Sequence, residues 1–182
     1  MTNRQYDSDH NVKNQKILTY FVTSQVKLLL EAQETRTLSF DERGNAREQI
    51  IATFGEVDAS GNIKEDTILD CKVIKNEGLD YNGNAEKTTI KKYLSAYIED
   101  NTGVNDGDII YSDFSDAQVV ETSEYDERGN SIRSTSYSYY MDIGNYDVAA
   151  IESDLLSARA MYGLEAIGQK TVSYNQIYDF HD

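Results

Sequence analysis

Tyr125-Asp126-Glu127-Arg128-Gly129-Asn130 is a short string that the chain keeps rewriting. Phe40-Asp41-Glu42-Arg43-Gly44-Asn45 is nearly the same string, while Val57-Asp58-Ala59-Ser60-Gly61-Asn62 and Leu79-Asp80-Tyr81-Asn82-Gly83-Asn84 keep its skeleton. Tyr6-Asp7-Ser8-Asp9-His10-Asn11 lacks only the glycine, and Met141-Asp142-Ile143-Gly144-Asn145 is one residue shorter. An aspartate that opens a type I turn can accept a hydrogen bond from a backbone N–H two residues on. A glycine at the fourth place can adopt the left-handed conformation that a Cβ resists. Together they describe a hairpin loop in which a type I turn is followed by a glycine bulge. Asp41, Gly44, Asn45, Asp58, Gly61, Asn62, Asp80, Gly83, Asn84, Asp126, Gly129 and Asn130 are therefore expected at turns that each join two antiparallel strands. Turn capping accounts for these aspartates without any ligand.

Working outward, the stretches that follow each closing Asn also match. Six places on stand Ile17, Ile51, Ile68 and Ile90; nine places on stand Tyr20, Phe54, Cys71, Tyr93 and Tyr139. Apolar positions that recur downstream of each turn favour internal duplication over a chance turn signal. The expected fold is mainly β: repeated antiparallel hairpins, either an extended meander sheet or a β-solenoid-like array. One repeat-built domain over residues 1–182 is expected, with hairpins over about 6–145 and a helix and terminal strand over 146–182. Val148, Ile151, Leu155, Ala158 and Tyr162 fall at helical spacing, so one amphipathic helix is expected near 147–162, started by Asp147 or Asn145 and ended by Gly163.

Two stretches are ambiguous. Residues 13–33 favour strands through Tyr20-Phe21-Val22-Thr23, although their Lys, Gln, Leu and Glu would also suit a helix. A break is expected at Thr23-Ser24-Gln25. In 86–98 the alignment predicts a strand, yet Ile90, Tyr93, Leu94, Tyr97 and Ile98 trace a helical stripe. A strand giving way to a helical turn is the reading adopted. A further break is expected at Lys75-Asn76-Glu77-Gly78.

Composition narrows the function. The absence of proline among 182 residues suits uninterrupted ladders. Fourteen tyrosines suit a pleated surface with one wet face. A net charge of −15 argues against nucleic acid as a partner. No apolar run is long enough for a membrane-spanning helix, so membrane insertion is not expected. The lone Cys71 occupies an aligned apolar site and reads as a small buried residue. His10 and His181 belong to no catalytic arrangement, and no phosphate loop or nucleophile elbow occurs, so no enzyme activity is expected.

From Leu94 through Glu127 stand ten acidic residues and no Lys or Arg. A solvated acidic face is one reading; Ca²⁺ on the loop that carries Asp100, Asp106 and Asp108 is the other, although the EF-hand spacing fails. No other cofactor is indicated. The run Tyr137-Ser138-Tyr139-Tyr140 could stack on glycan or form cross-strand pairs.

Tyr125-Asp126-x-x-Gly129-Asn130 and Phe40-Asp41-x-x-Gly44-Asn45 resemble the YD repeats of the Rhs family, a likeness that covers roughly residues 6–145. The family's tandem hairpins build β-shells or surface-exposed repeat regions of large secreted or cell-surface polypeptides. The resemblance implies a structural array and carries over no catalytic residue. Irregular turn spacings of 17, 22 and 46 residues depart from a regular array. The expected role is a structural segment of a longer bacterial extracellular or cell-surface repeat protein. Its partners would be neighbouring repeats or copies of itself, with glycan or Ca²⁺ binding as the alternative.

Overall fold

The computed structural model describes residues 1–99, 107–140, 148–163 and 167–174. Strands β1 (Thr2–Tyr6), β2 (Val12–Val22), β3 (Lys27–Phe40) and β4 (Ala46–Phe54) are followed by a 3₁₀ turn at Glu65–Thr67. Then come β5 (Ile68–Leu79), β6 (Ala85–Ile98), β7 (Ile109–Tyr125) and β8 (Ser131–Tyr140). Helices α1 (Val148–Ser153) and α2 (Leu155–Tyr162) precede β9 (Gly168–Tyr174). The nine strands lie in one sheet in sequence order, so the mainly β hairpin fold is a meander rather than a solenoid.

Three hairpins share one register to the residue. Tyr6 pairs with Val12, Gln5 with Asn14 and Asn3 with Gln15. Phe40–Ala46, Ser39–Glu48 and Thr37–Gln49 repeat this, as do Tyr125–Ser131, Glu124–Arg133 and Thr122–Ser134. Each ladder skips one residue on each strand at the same distance from its turn. These paired irregularities add twist where the strands leave the loop. A polar rung follows the irregularity: Gln15 Nε2 donates to Asn3 Oδ1 (2.8 Å) and Gln49 Nε2 to Thr37 Oγ1 (3.0 Å). In the β5–β6 hairpin, Thr88 Oγ1 donates to Asn76 Oδ1 (2.9 Å) from the same two places.

The chain divides into two compact units. The first takes Met1–Ile74 and Lys92–Phe114. Its core gathers Ala32, Ile50, Ala52, Phe54, Ile63, Cys71, Tyr93, Ala96, Ile98 and Ile109. The Tyr93 ring lies 4.4 Å from Tyr111 and 5.7 Å from Phe114 between centroids. Complete burial of Phe54 contributes roughly 1.5–3 kcal/mol. The second unit takes Lys75–Lys91 and Ser115–Asp182, and buries Ala117, Val119, Tyr139, Ile151, Leu155, Ala158 and Ile167. There the Arg159 guanidinium covers the Tyr137 ring at 4.6 Å, and Lys91 Nζ donates to the Glu152 carbonyl.

Several expectations are corrected. The single helix is two, because Asp154 turns to an extended backbone (φ −144°, ψ 91°) and caps α2, accepting from the N–H groups of Leu156 and Ser157. Gly163 ends α2 with φ +77° as expected. Residues 86–98 are strand throughout, and the helical stripe does not form one buried face: Tyr93, Ala96 and Ile98 are buried while Leu94 and Tyr97 are exposed. Residues 13–22 and 27–33 are likewise strand. No break occurs at 75–78, since Gly78 (φ +65°) absorbs the irregularity within β5. The turn at Met141–Asn145 and the caps at Asn145 and Asp147 lie outside the described residues.

Cys71 is fully buried, and burial pushes its thiol up to about 12. Native protein is expected to leave Cys71 unalkylated by iodoacetamide at pH 8, and unfolded protein to react fully. Rapid labelling of the native protein, read by intact mass, would contradict its place in the core.

Candidate functional site

The turns are built alike. Asp41 N–H donates to the Asn45 carbonyl (2.9 Å) and Gly44 N–H to the Asp41 carbonyl (3.1 Å). Asp41 Oδ1 accepts from the N–H groups of Arg43 (2.9 Å) and Asn45 (2.8 Å), while Oδ2 accepts from Asn45 Nδ2 (3.0 Å). The same three bonds hold Asp80 against Asn84 and Asp126 against Asn130. They also hold Asp7 against Asn11, where His10 takes the left-handed place (φ +68°). Gly44, Gly61, Gly83 and Gly129 have φ of +83° to +85°.

One turn joins its strands through a shorter ribbon than the others. Asp58–Asn62 has the same internal bonds, but it closes a ribbon of a single bridge, Val57 to Ile63, within the β4–β5 connection. It still links β4 to β5, whose legs pair through Gly55 N–H to the Thr67 carbonyl, and Lys16 Nζ donates to its Gly61 carbonyl. The sequence carries the distinction. The other turns have Asn or Thr four places before Asp and Gln, Thr or Ser four places after Asn. This one has Phe54 and Asp66.

Neighbouring turns nest within each unit. A Cβ at Gly44 would lie 2.5 Å from Asn11 Oδ1, and one at Gly129 would lie 3.0 Å from Asn84 Nδ2. The closing Asn of one hairpin thus fills the space that glycine leaves in the next. At Gly61, which stacks on no turn, a Cβ would meet nothing within 4 Å.

Hydrogen bonds hold these carboxyls below the ordinary aspartate range. The Asn side-chain amide is the first cause at Asp7, Asp41, Asp80 and Asp126, and the Asn62 backbone N–H at Asp58. A depressed carboxyl stabilises the fold above its unfolded pKa, about 3.9, and that contribution is lost as pH falls through the lower folded values. Thermal midpoints are therefore expected to lose the turn contribution only below about pH 4. Asp41→Asn with Asp126→Asn should flatten that acid limb. An unchanged limb in the double variant would contradict the assignment.

Under the first turns lies a charged cluster that sequence reading missed. The Glu34 side chain is completely buried, with Arg4 and Arg36 on Oε2 and Lys16 Nζ 3.9 Å from Oε1. Arg36 NH1 approaches Oε2 to 2.9 Å and Arg36 Nε donates to the Gly107 carbonyl (2.7 Å). Arg4 also donates to the Oδ1 of buried Asn14. Burial pushes the Glu34 carboxyl up, against the pull of Arg36, Arg4 and Lys16, and pushes Arg36 and Lys16 down. Glu34 and Arg36 stand two apart on one face of β3, opposite Lys16 and Asn14. The arrangement has the makings of a structural clamp: it ties the edge strand β1, across β2, to β3.

A cavity of about 300 Å³ opens beside the nested turns, lined by Asn11, Lys13, Gln15, Thr35, Phe40 and Gln49 among others. Of the Ca²⁺ residues, Asp108 is placed before β7, its carbonyl accepting from Glu99 N–H (2.8 Å); Asp100 and Asp106 lie outside the described residues. Among the described residues no group of three or more His, Cys, Asp or Glu could hold a metal ion. No helix among them is long and apolar enough to cross a membrane. The tyrosine run is not one open platform, because Tyr139 is fully buried.

No family model, curated protein or solved structure matches this chain.

Proposed function

We propose that the chain is a structural segment of a bacterial extracellular or cell-surface repeat protein, built like the YD-repeat (Rhs-like) arrays. It would associate through strands with neighbouring repeats or with copies of itself. The observation that carries this reading is the shared hairpin: one register, one pair of irregularities and one Asp–Asn loop recur, and the loops nest Asn against Gly. Units that stack through their loops add stability with each neighbour, as in other repeat arrays. Sedimentation velocity over a wide concentration range tests the association: a sedimentation coefficient that rises with concentration supports it, and a strict monomer counts against it.

A second reading, a ligand-binding module, draws on the cavity beside Asn11. Amides and hydroxyls around one aromatic ring, Phe40, suit a neutral sugar. Glycan-array binding lost in Gln49→Ala would favour it over the structural reading.

A further inference from the structure

The β2–β3 hairpin runs on past its neighbours. Pairing with β1 stops at Lys16 and pairing with β4 stops at Ala32, whereas β2 and β3 stay paired to Val22 and Lys27. Among the described residues, the tip is thus a two-stranded ribbon with both outer edges open. Thr23 N–H donates to the Val26 carbonyl (2.8 Å) and closes it.

This tip is apolar and nearly uncharged. Phe21, Val22, Val26, Leu28 and Leu30 each expose more than half their surface. In a chain of net charge −15, residues 17–30 contain no Asp or Glu and one Lys. An isolated two-stranded ribbon is marginal in water, and an open apolar edge is a template for another strand. A lipid bilayer would suit the side chains but leave the edge N–H and C=O groups without partners. Another strand satisfies both.

The edge names its own partner. β3 begins Lys27-Leu28-Leu29-Leu30-Glu31, a cation at one end and a carboxylate at the other. Laid antiparallel on a second copy and centred on Leu29, across the bulge that pairing with β2 places at Leu30, it sets Lys27 against Glu31 of the other chain at both ends. Two acidic molecules meet there with least repulsion. We propose that residues 27–31 are a self-pairing edge through which two copies of this chain dimerise. This rests on the structural reading above and names the surface that reading needs.

Charge reversal and restoration test it by sedimentation equilibrium. Glu31→Lys places like charges opposite each other at both ends and should weaken dimerisation roughly tenfold or more. Lys27→Glu should do the same. The double variant Lys27→Glu/Glu31→Lys restores complementarity and should recover the wild-type dimer, which a misfolding effect would not do. If wild type associates and the single variants associate equally, or the double variant fails to recover, this edge is not the interface, although self-association stands. A wild type that is monomeric at every concentration overturns both the edge and the association. Flotation of monomeric wild type with neutral phosphatidylcholine vesicles would reassign the tip to lipid.

Discussion

Glu34→Ala is expected to lower the free energy of unfolding by about 3–5 kcal/mol. The substitution deletes one fully buried carboxylate and leaves Arg4, Arg36 and Lys16, all largely buried, facing one another. Removing one partner from a buried ionic group costs far more than the group contributes when intact, because the remaining charges stay desolvated. Glu34→Gln keeps the volume and an acceptor oxygen, so it should cost less, though it too removes the negative charge. Urea unfolding followed by circular dichroism measures both variants. A midpoint that falls with an unchanged slope fits lost stability in an intact fold. A Glu34→Ala midpoint equal to wild type would show that the cluster carries no stability. Because Arg4 reaches Glu34 from β1, the amide protons of Thr2–Tyr6 should also exchange faster in the variant.

Gly44→Ala should cost markedly more than Gly61→Ala, although both glycines have φ of +85°. Each alanine meets the left-handed penalty of roughly 1–2 kcal/mol. At Gly61 the new methyl enters open space and nothing is added. At Gly44 it lies 2.5 Å from Asn11 Oδ1, and that amide is pinned by its bond from Nδ2 to Asp7 Oδ2. Making room breaks that bond or spreads the two loops, an added cost of at least about 1 kcal/mol. Asn11→Gly should recover the added part in the double variant while leaving the backbone penalty. Equal losses at Gly44 and Gly61 would mean the loops do not press on each other.

Four of the described turns were legible because Asp, Gly and Asn answer to local backbone chemistry that needs no tertiary context. At Asp58 the same logic found the turn but not its short ribbon, because the loop is locally identical. Its place in the fold depends on the rung four residues away on each side, where Phe54 and Asp66 supply no polar pair. Residues 86–98 were ambiguous because Ile90, Tyr93, Leu94, Tyr97 and Ile98 satisfy a helical period. Only the neighbouring strands decide that Leu94 and Tyr97 face outward. The helix boundary at Asp154 was visible in principle: Asp154 with Ser157 three places on is a capping pattern inside the apolar stripe.

The Glu34 cluster was the least readable part. Glu34-Thr35-Arg36 looks like an ordinary wet strand, and its burial follows from what folds over it, including the Asp58 loop and Gly107. A carboxylate and a guanidinium two apart on a strand share a face, which was a usable signal. What it could not supply was the arrival of Arg4 and Lys16 from two other strands. The exposed ribbon tip was hidden for the opposite reason: Leu28-Leu29-Leu30 reads as core until the ladder shows where β4 ends.

Hairpin loops stack by placing the closing Asn of one against the left-handed Gly of the next, Asn11 on Gly44 and Asn84 on Gly129. Nuclear Overhauser spectroscopy on isotope-labelled protein reads this contact directly. Cross-peaks are predicted from the Asn11 side-chain amide protons to Gly44 Hα, and from those of Asn84 to Gly129 Hα. Assigned spectra in which both contacts are missing while the strand pairings persist would show that the loops do not stack.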